Sequence, residues 1–291
     1  MAAVVSQPDR PRGRGRRASP SPVAMLALAA GVPLLRPERV GDAEVVVELA
    51  RFAPDLGVVV AFGQFLPKRV RELPRLGLVN AHASLLPRHR GAAPIAHAIL
   101  SGDAETGISI MRVEREMDAG AVCLAKRTPI RPDEGRGELE ERLAGLAAEA
   151  MAEALEEIAA GRAHYTPQDD ALATLAPKLG PADAALDFAE PAEVLARRVR
   201  ALAPRPGAAA ALRGERLRVL AARAEPGPCD RAPGVAARSG DRLRVATGAG
   251  WLALEQVQRP GGRVLATAEF LRGCDVPDGA TFERAGDAAT G

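Results

Sequence analysis

Asn80 and His82 stand two residues apart in Gly77-Leu78-Val79-Asn80-Ala81-His82-Ala83-Ser84-Leu85-Leu86-Pro87. The first half of this stretch reads as a short apolar strand, and the proline at its end halts any ladder or helix. Side chains two apart on a strand share a face. An amide and an imidazole would therefore project together from the strand's carboxyl end, where open α/β sheets bind ligands. Acyl transfer uses that pair of groups: a hydrogen-bond donor for a developing oxyanion and a carrier for an amine's proton. Taken alone, the two residues fit equally well a strand cap followed by an ordinary loop histidine.

Metal chemistry has less support. His82, His89 and His97 fall within a short stretch, but their spacings of seven and eight fit no common zinc pattern. Cys123, Cys229 and Cys274 are widely separated and form no CxxC pair, so no metal is expected. A sparse, odd cysteine count suits a reducing compartment. No apolar run approaches the roughly 20 residues needed to cross a bilayer, and the N-terminus lacks the apolar core of a signal peptide. These readings predict a soluble, cytoplasmic protein. Only 3% of the residues are aromatic, which argues against a stacking surface for single-stranded nucleic acid. The net charge of +2 discriminates among no partners, but its distribution is uneven. Gln7–Pro22 carries Arg10, Arg12, Arg14, Arg16 and Arg17 among Pro, Gly and Ser, and reads as a mobile basic loop. Such a loop attracts phosphates, or is simply solvated.

Three further blocks surround the Asn80/His82 stretch. They are Arg88-His89-Arg90-Gly91-Ala92-Ala93-Pro94-Ile95, Gly102-Asp103-Ala104-Glu105-Thr106-Gly107-Ile108-Ser109-Ile110-Met111, and Glu116-Met117-Asp118-Ala119-Gly120. In this order and spacing the chain resembles the folate-dependent formyltransferases, from about Ser6 to Gly273, and the first block is most similar to the branch acting on methionyl-tRNA. The resemblance implies formyl transfer from 10-formyltetrahydrofolate, as co-substrate, to the α-amino group of methionyl initiator tRNA. It assigns Asn80, His82 and Asp118 to catalysis. Ser84, Leu85, Leu86 and Pro87 match the folate-contacting segment, and the turn Ala61–Pro67 the wall around the pterin. The basic loop, with Arg14 aligned to the family's loop arginine, would reach the tRNA acceptor arm. A monomer is expected.

Read alone, Asp118 makes a turn before Gly120. With Asn80 and His82 it becomes the group that holds the imidazole or relays the ammonium proton. An ordinary Asp, with a pKa of about 3.9, is a poor base near neutrality, so the role requires burial or an already acidic ammonium. Two departures stand out. Ala119 replaces the Thr usual in the tRNA branch, and Ala203-Pro204-Arg205-Pro206-Gly207-Ala208 lacks the Trp of the family's Asn-Pro-Trp-Pro-Gly-Ala. The family also begins with a strand, a glycine turn and a helix ahead of the position of Ala2. A first strand usually sits centrally in a parallel sheet, so the expectation is that Met1 is a misplaced start and the natural chain is longer.

The remaining pattern sets the architecture. Strand-like runs at Leu56–Val60, Leu78–His82, Ile108–Val113 and Val122–Arg127 alternate with helical ones at Val23–Ala30, Ala43–Arg51 and Pro94–Leu100. Leu56–Val60 reads as a strand buried on both faces. Leu139, Leu143, Leu146, Ala150, Ala154 and Ile158 recur at helical spacing over Gly137–Gly161. The class expected is α/β: a mostly parallel, Rossmann-like sheet with helices on both faces, followed by a small oligonucleotide-binding-like β-barrel. The domains expected are 1–163 (catalytic, N-terminally truncated), 164–185 (linker), 186–278 (barrel) and 279–291 (disordered tail). Eight arginines from Arg197 to Arg223, against the single acid Glu215, suit contact with an RNA backbone or a merely arginine-rich surface. The alternatives are a formyltransferase or hydrolase with a small acceptor, which needs neither basic segment, and a non-catalytic RNA- or folate-binding remnant.

Overall fold

A computed structural model describes residues 1–12 and 17–286. In chain order the first part runs β1 (Val4–Val5), β2 (Arg10–Arg12), β3 (Arg17–Ser19), α1 (Pro22–Ala29), β4 (Leu34–Leu35), α2 (Ala43–Arg51), β5 (Gly57–Val59), α3 (Lys68–Arg71), β6 (Leu78–His82), α4 (Pro94–Ser101), β7 (Glu105–Arg112), β8 (Val122–Pro129) and α5 (Arg136–Ala159). The second part runs α6 (Ala192–Leu202), β9 (Ala208–Leu212), β10 (Glu215–Glu225), β11 (Ala236–Ser239), β12 (Arg242–Ala246), β13 (Trp251–Gln258), β14 (Val264–Ala266), α7 (Thr267–Gly273) and β15 (Phe282–Arg284). By compactness the chain forms two units. One is Met1–His82, Ile108–Lys126 and Ala147–Ala173; the other is Ala83–Gly107, Arg127–Leu146 and Thr174–Gly291.

The sheet that carries the site has the order β5-β6-β7-β8. β6 forms because Leu78 and Val79 are apolar and buried, at 8% and 0% exposure, before the polar Asn80 and His82 end the run. β5 runs parallel to β6. β7 runs antiparallel to it, with Asn80 opposite Met111 and His82 opposite Ser109. The sheet is thus mixed at this point, β5/β6 parallel and β6/β7 antiparallel, although α4 lies between β6 and β7 in the chain. β1 and β4 pair in parallel as a separate two-stranded sheet. The run Leu56–Val60, which contains β5, is less covered than its sequence suggests: Val58 keeps 46% of its surface and Val60 57%. β5 ends the strand order with β6 as its one neighbour among the described residues, so no second strand flanks its side chains. The basic loop also differs from expectation. Arg10–Arg12 and Arg17–Ser19 pair as an antiparallel hairpin, Arg10 opposite Ser19 and Arg12 opposite Arg17.

α5 follows its periodicity. Leu139, Leu143, Ala150 and Ala154 are buried and Glu140, Glu141, Glu149, Glu153 and Glu156 exposed. Gly161 stops it with its N–H on the Ile158 carbonyl.

In the second unit the antiparallel order is β11-β12-β13-β10-β9-β15, with β14 beside β13. Its core gathers Leu186, Leu195, Val199, Val219, Val245 and Leu252, all at or near zero exposure. The two ends of this order meet. Val235 bridges Thr281, Ala236 N–H donates to the Ala280 carbonyl, and Phe282 N–H donates to the Gly234 carbonyl at 2.8 Å. A Cβ on Gly234 would lie 2.6 Å from the Phe282 carbonyl oxygen, so the closure requires glycine. Residues 279–286 are therefore not the disordered tail expected: Phe282 is 2% exposed and packs edge-on against Phe188 at 6.2 Å. One buried ring outweighs the polar composition around it. The expected linker is likewise tied down, Thr166 bridging Val122 within the first unit and Leu175 bridging Arg90 within the second.

Candidate active site

β6 brings Asn80 and His82 to its carboxyl end as the alternation requires. His82 is 6% exposed, and its Nδ1 lies 3.6 Å from the Asp118 Oδ2, whose side chain is 15% exposed. That separation is longer than a formed hydrogen bond. The three residues assigned to catalysis thus belong to one unit, with the imidazole and the carboxylate adjacent.

Asp118 is held from behind. Its backbone lies in the left-handed region, φ 53°, a conformation costing about 1–2 kcal/mol in a non-glycine residue. Two features compensate. A Cβ on Gly120 would fall 2.0 Å from the Arg112 carbonyl oxygen, so glycine lets the loop lie directly on β7. Gln168 Nε2 then donates to both the Asp118 carbonyl (2.8 Å) and the Gly120 carbonyl (2.7 Å). Next to this loop, the Arg112 guanidinium lies over the Tyr165 ring at 4.0 Å.

The segment Ser84–Pro87 belongs to the second unit. Ser84 is fully buried, and its Oγ donates to the Arg88 carbonyl at 2.6 Å. The side chain therefore shapes the loop, while Leu85, Leu86 and Pro87 are half-buried and present apolar surface. Of the arginines assigned to tRNA, Arg10 is exposed and stands 3.8 Å from Glu38. Arg12 and Arg17 are register partners in the hairpin backbone, and Arg14 and Arg16 lie outside the described residues.

The sequence model "Formyl transferase" matches residues 1–155, and "Formyl transferase, C-terminal domain" matches residues 178–275. The chain belongs to the formyl transferase family. Similar proteins include the methionyl-tRNA formyltransferase of Moorella thermoacetica, 43% identical over 94% of this chain and 88% of its own length. That of Halorhodospira halophila is 48% identical over 93% and 87%. Among solved structures, HypX from Aquifex aeolicus in complex with tetrahydrofolic acid superposes with a TM-score of 0.61 at 21% identity, over 78% of this chain and 40% of its own. An N-formyltransferase from Helicobacter canadensis, with folinic acid and dTDP-3-aminofucose, gives 0.64 at 12% identity, over 84% and 86%. These two likenesses concern the fold: α/β and Rossmann-like, then a curled antiparallel sheet.

In this formyl transferase the arginine-rich start of the second domain is partly internal wiring. Arg198 pairs with Glu190, Arg223 with Glu225, and Arg218 donates to the carbonyls of Pro204 (2.6 Å) and Pro206 (2.9 Å), bracing the turn that lacks the family's Trp. Burial, opposed by nearby acids, pulls the Arg200 guanidinium below its ordinary pKa. Sequence reasoning missed Gln168, because it sits in a Pro- and Asp-rich stretch read as linker. The signal available was an amide side chain in a polar stretch following the long helix, which fits too many roles to single out. Among the described residues no group of three or more His, Cys, Asp or Glu is placed to hold a metal. No described helix is long and apolar enough to cross a membrane.

Proposed function

We propose that this formyl transferase moves the formyl group of 10-formyltetrahydrofolate onto the α-amino group of methionyl initiator tRNA, giving N-formylmethionyl-tRNA for translation initiation. The observation that carries this reading is similarity, at 42–48% identity over 93–100% of this chain and 87–90% of theirs, to proteins named methionyl-tRNA formyltransferase. The amine attacks the formyl carbon and a C–N bond forms. Asn80 and His82 donate to the resulting oxyanion, each such donor being worth roughly 3–4 kcal/mol. Asp118 orients His82 or carries the ammonium proton toward the departing folate nitrogen. The bond from the formyl carbon to that nitrogen then breaks, and tetrahydrofolate leaves with the proton.

Ser84, Leu85, Leu86 and Pro87 receive the donor, and Arg10, Arg12, Arg14, Arg16 and Arg17 contact the tRNA backbone. Residues 1–163 act as the catalytic domain, 164–185 as a connection and 186–278 as the tRNA-binding domain. The enzyme works as a cytoplasmic monomer without a metal; its three cysteines are free thiols, which suits a reducing compartment.

The test is incubation with 10-formyltetrahydrofolate and charged initiator tRNA, with formyl-methionine as the readout and a parallel reaction without tRNA. Formyl-methionine is expected only with tRNA. Tetrahydrofolate release in the tube without tRNA would move the assignment to a hydrolase, and no release in either would remove catalysis altogether.

A further inference from the structure

His89 is a second buried histidine, 5% exposed, that the reaction does not use. Its backbone is left-handed, φ 59°, where a non-glycine residue persists only if its surroundings hold it. They do so from several sides. Its Nε2 lies 2.7 Å from Asp103 Oδ2, and its backbone N–H donates to Thr174 Oγ1 at 2.9 Å. Arg88 donates to the other Asp103 oxygen at 2.6 Å, while its carbonyl receives the Ser84 hydroxyl. Asp103 lies just past the Gly102 cap that ends α4, whereas Arg88 and His89 precede its start. One carboxylate, set just beyond a helix terminus, thus grips two consecutive side chains of the loop, and that loop is fastened in turn to Ser84.

We propose that Asp103 is a positioning residue: through His89 and Arg88 it fixes the conformation in which Leu85–Pro87 meet the folate. This rests on the assignment of that segment to the donor. The latch touches neither reacting atom, so its removal should weaken donor binding and spare the chemistry. Asp103 and His89 are covered while Arg88 is half exposed, and removing the carboxylate leaves the covered imidazole without this partner.

The experiment is steady-state kinetics of Asp103→Ala and Asp103→Asn, with Leu86→Asp to test the underlying assignment and Glu105→Ala, which breaks an exposed pair with Arg127, as control. For Asp103→Ala we expect the KM for 10-formyltetrahydrofolate to rise about tenfold, equivalent to about 1.4 kcal/mol, with kcat and the tRNA KM within about twofold. Asp103→Asn keeps one acceptor and should fall between. Glu105→Ala should match wild type. A merely structural Asp103 would lower Tm and leave the donor KM unchanged when assayed well below Tm, which overturns the proposal. Should Leu86→Asp also leave the donor KM unchanged, the segment's assignment is at fault. If Leu86→Asp raises it and Asp103→Ala does not, the latch alone is wrong.

Discussion

Two histidine–aspartate pairs of nearly equal burial are built to different tolerances. His89 and Asp103 are 6% and 17% exposed and 2.7 Å apart; His82 and Asp118 are 6% and 15% exposed and 3.6 Å apart. Burial cannot be what distinguishes them. The tight pair has a third member, Arg88, on the same carboxylate. Burial pushes the Asp103 carboxyl up, but the hydrogen bonds from His89 and Arg88 outweigh it and hold the group below the ordinary carboxylate range. At the wider pair the backbone of Asp118 is fixed by a left-handed φ, a glycine on β7 and a glutamine across two carbonyls. A clamp needs its partners in contact. In the proposed mechanism the His82–Asp118 pair handles a proton, and such a pair gains from having its distance set from behind, so that bound substrate can complete the geometry.

The largest break in this contrast is at the loose pair. His82→Ala and Asn80→Ala should each lower kcat by about 10²–10³, measured as formyl-methionine formed at saturating substrates. Asp118→Asn, which keeps the shape and removes the charge, should also lower kcat, with the donor KM unchanged. Rates near wild type in any one of these variants would remove that residue from the reaction.

Next in size is the support of the Asp118 loop. A methyl on Gly120 would collide with backbone rather than a movable side chain, so Gly120→Ala should destabilise by about 1–3 kcal/mol, read from urea unfolding, and lower kcat as Asp118 shifts. Gln168→Leu keeps most of the volume and strips two carbonyls of their donor, at about 1–3 kcal/mol. It should act on kcat more than on either KM. If Gln168→Leu alters only stability, Asp118 is located by something other than this amide.

The sequence exposed the first pair more readily than what holds it. Asn80 and His82 are legible because strand alternation forces residues two apart onto one face, and Asp118 because a short motif accompanies them. Gln168 was not legible: its partners are backbone carbonyls fifty and forty-eight positions away, and no side-chain pattern marks them. The same reason hid β9, whose Ala-Ala-Ala-Ala-Leu has weak strand preference and is strand because β10 and β15 flank it. It also hid β15, where a single phenylalanine in a polar tail closes the sheet. α2, α4 and α5 were legible nearly to their ends, since their periodicity and stop signals are local. Leu56–Val60 misled because an apolar run states what a segment prefers to bury, not how many neighbours it has.

The smallest predicted effect separates tightness of pairing from burial. Asp278 on the barrel is gripped as firmly as Asp103, by both Arg231 amino groups at 2.8 Å and by the Arg238 N–H at 3.0 Å, yet its side chain is 56% exposed. The Arg231 guanidinium, then the Arg238 amide, hold its carboxyl down at about 2. A folded-state pKa below the unfolded value of about 3.9 means that acid protonates the unfolded chain first. The stabilisation is therefore present above about pH 4 and disappears as pH falls toward 2. Asp278→Asn should be slightly less stable than wild type at pH 7, and the difference should close between pH 4 and 2, followed as urea midpoints at each pH. A difference that stays constant across that range would mean the carboxylate's charge contributes nothing there. Tight geometry alone, without burial, would then be insufficient to make a carboxylate a clamp.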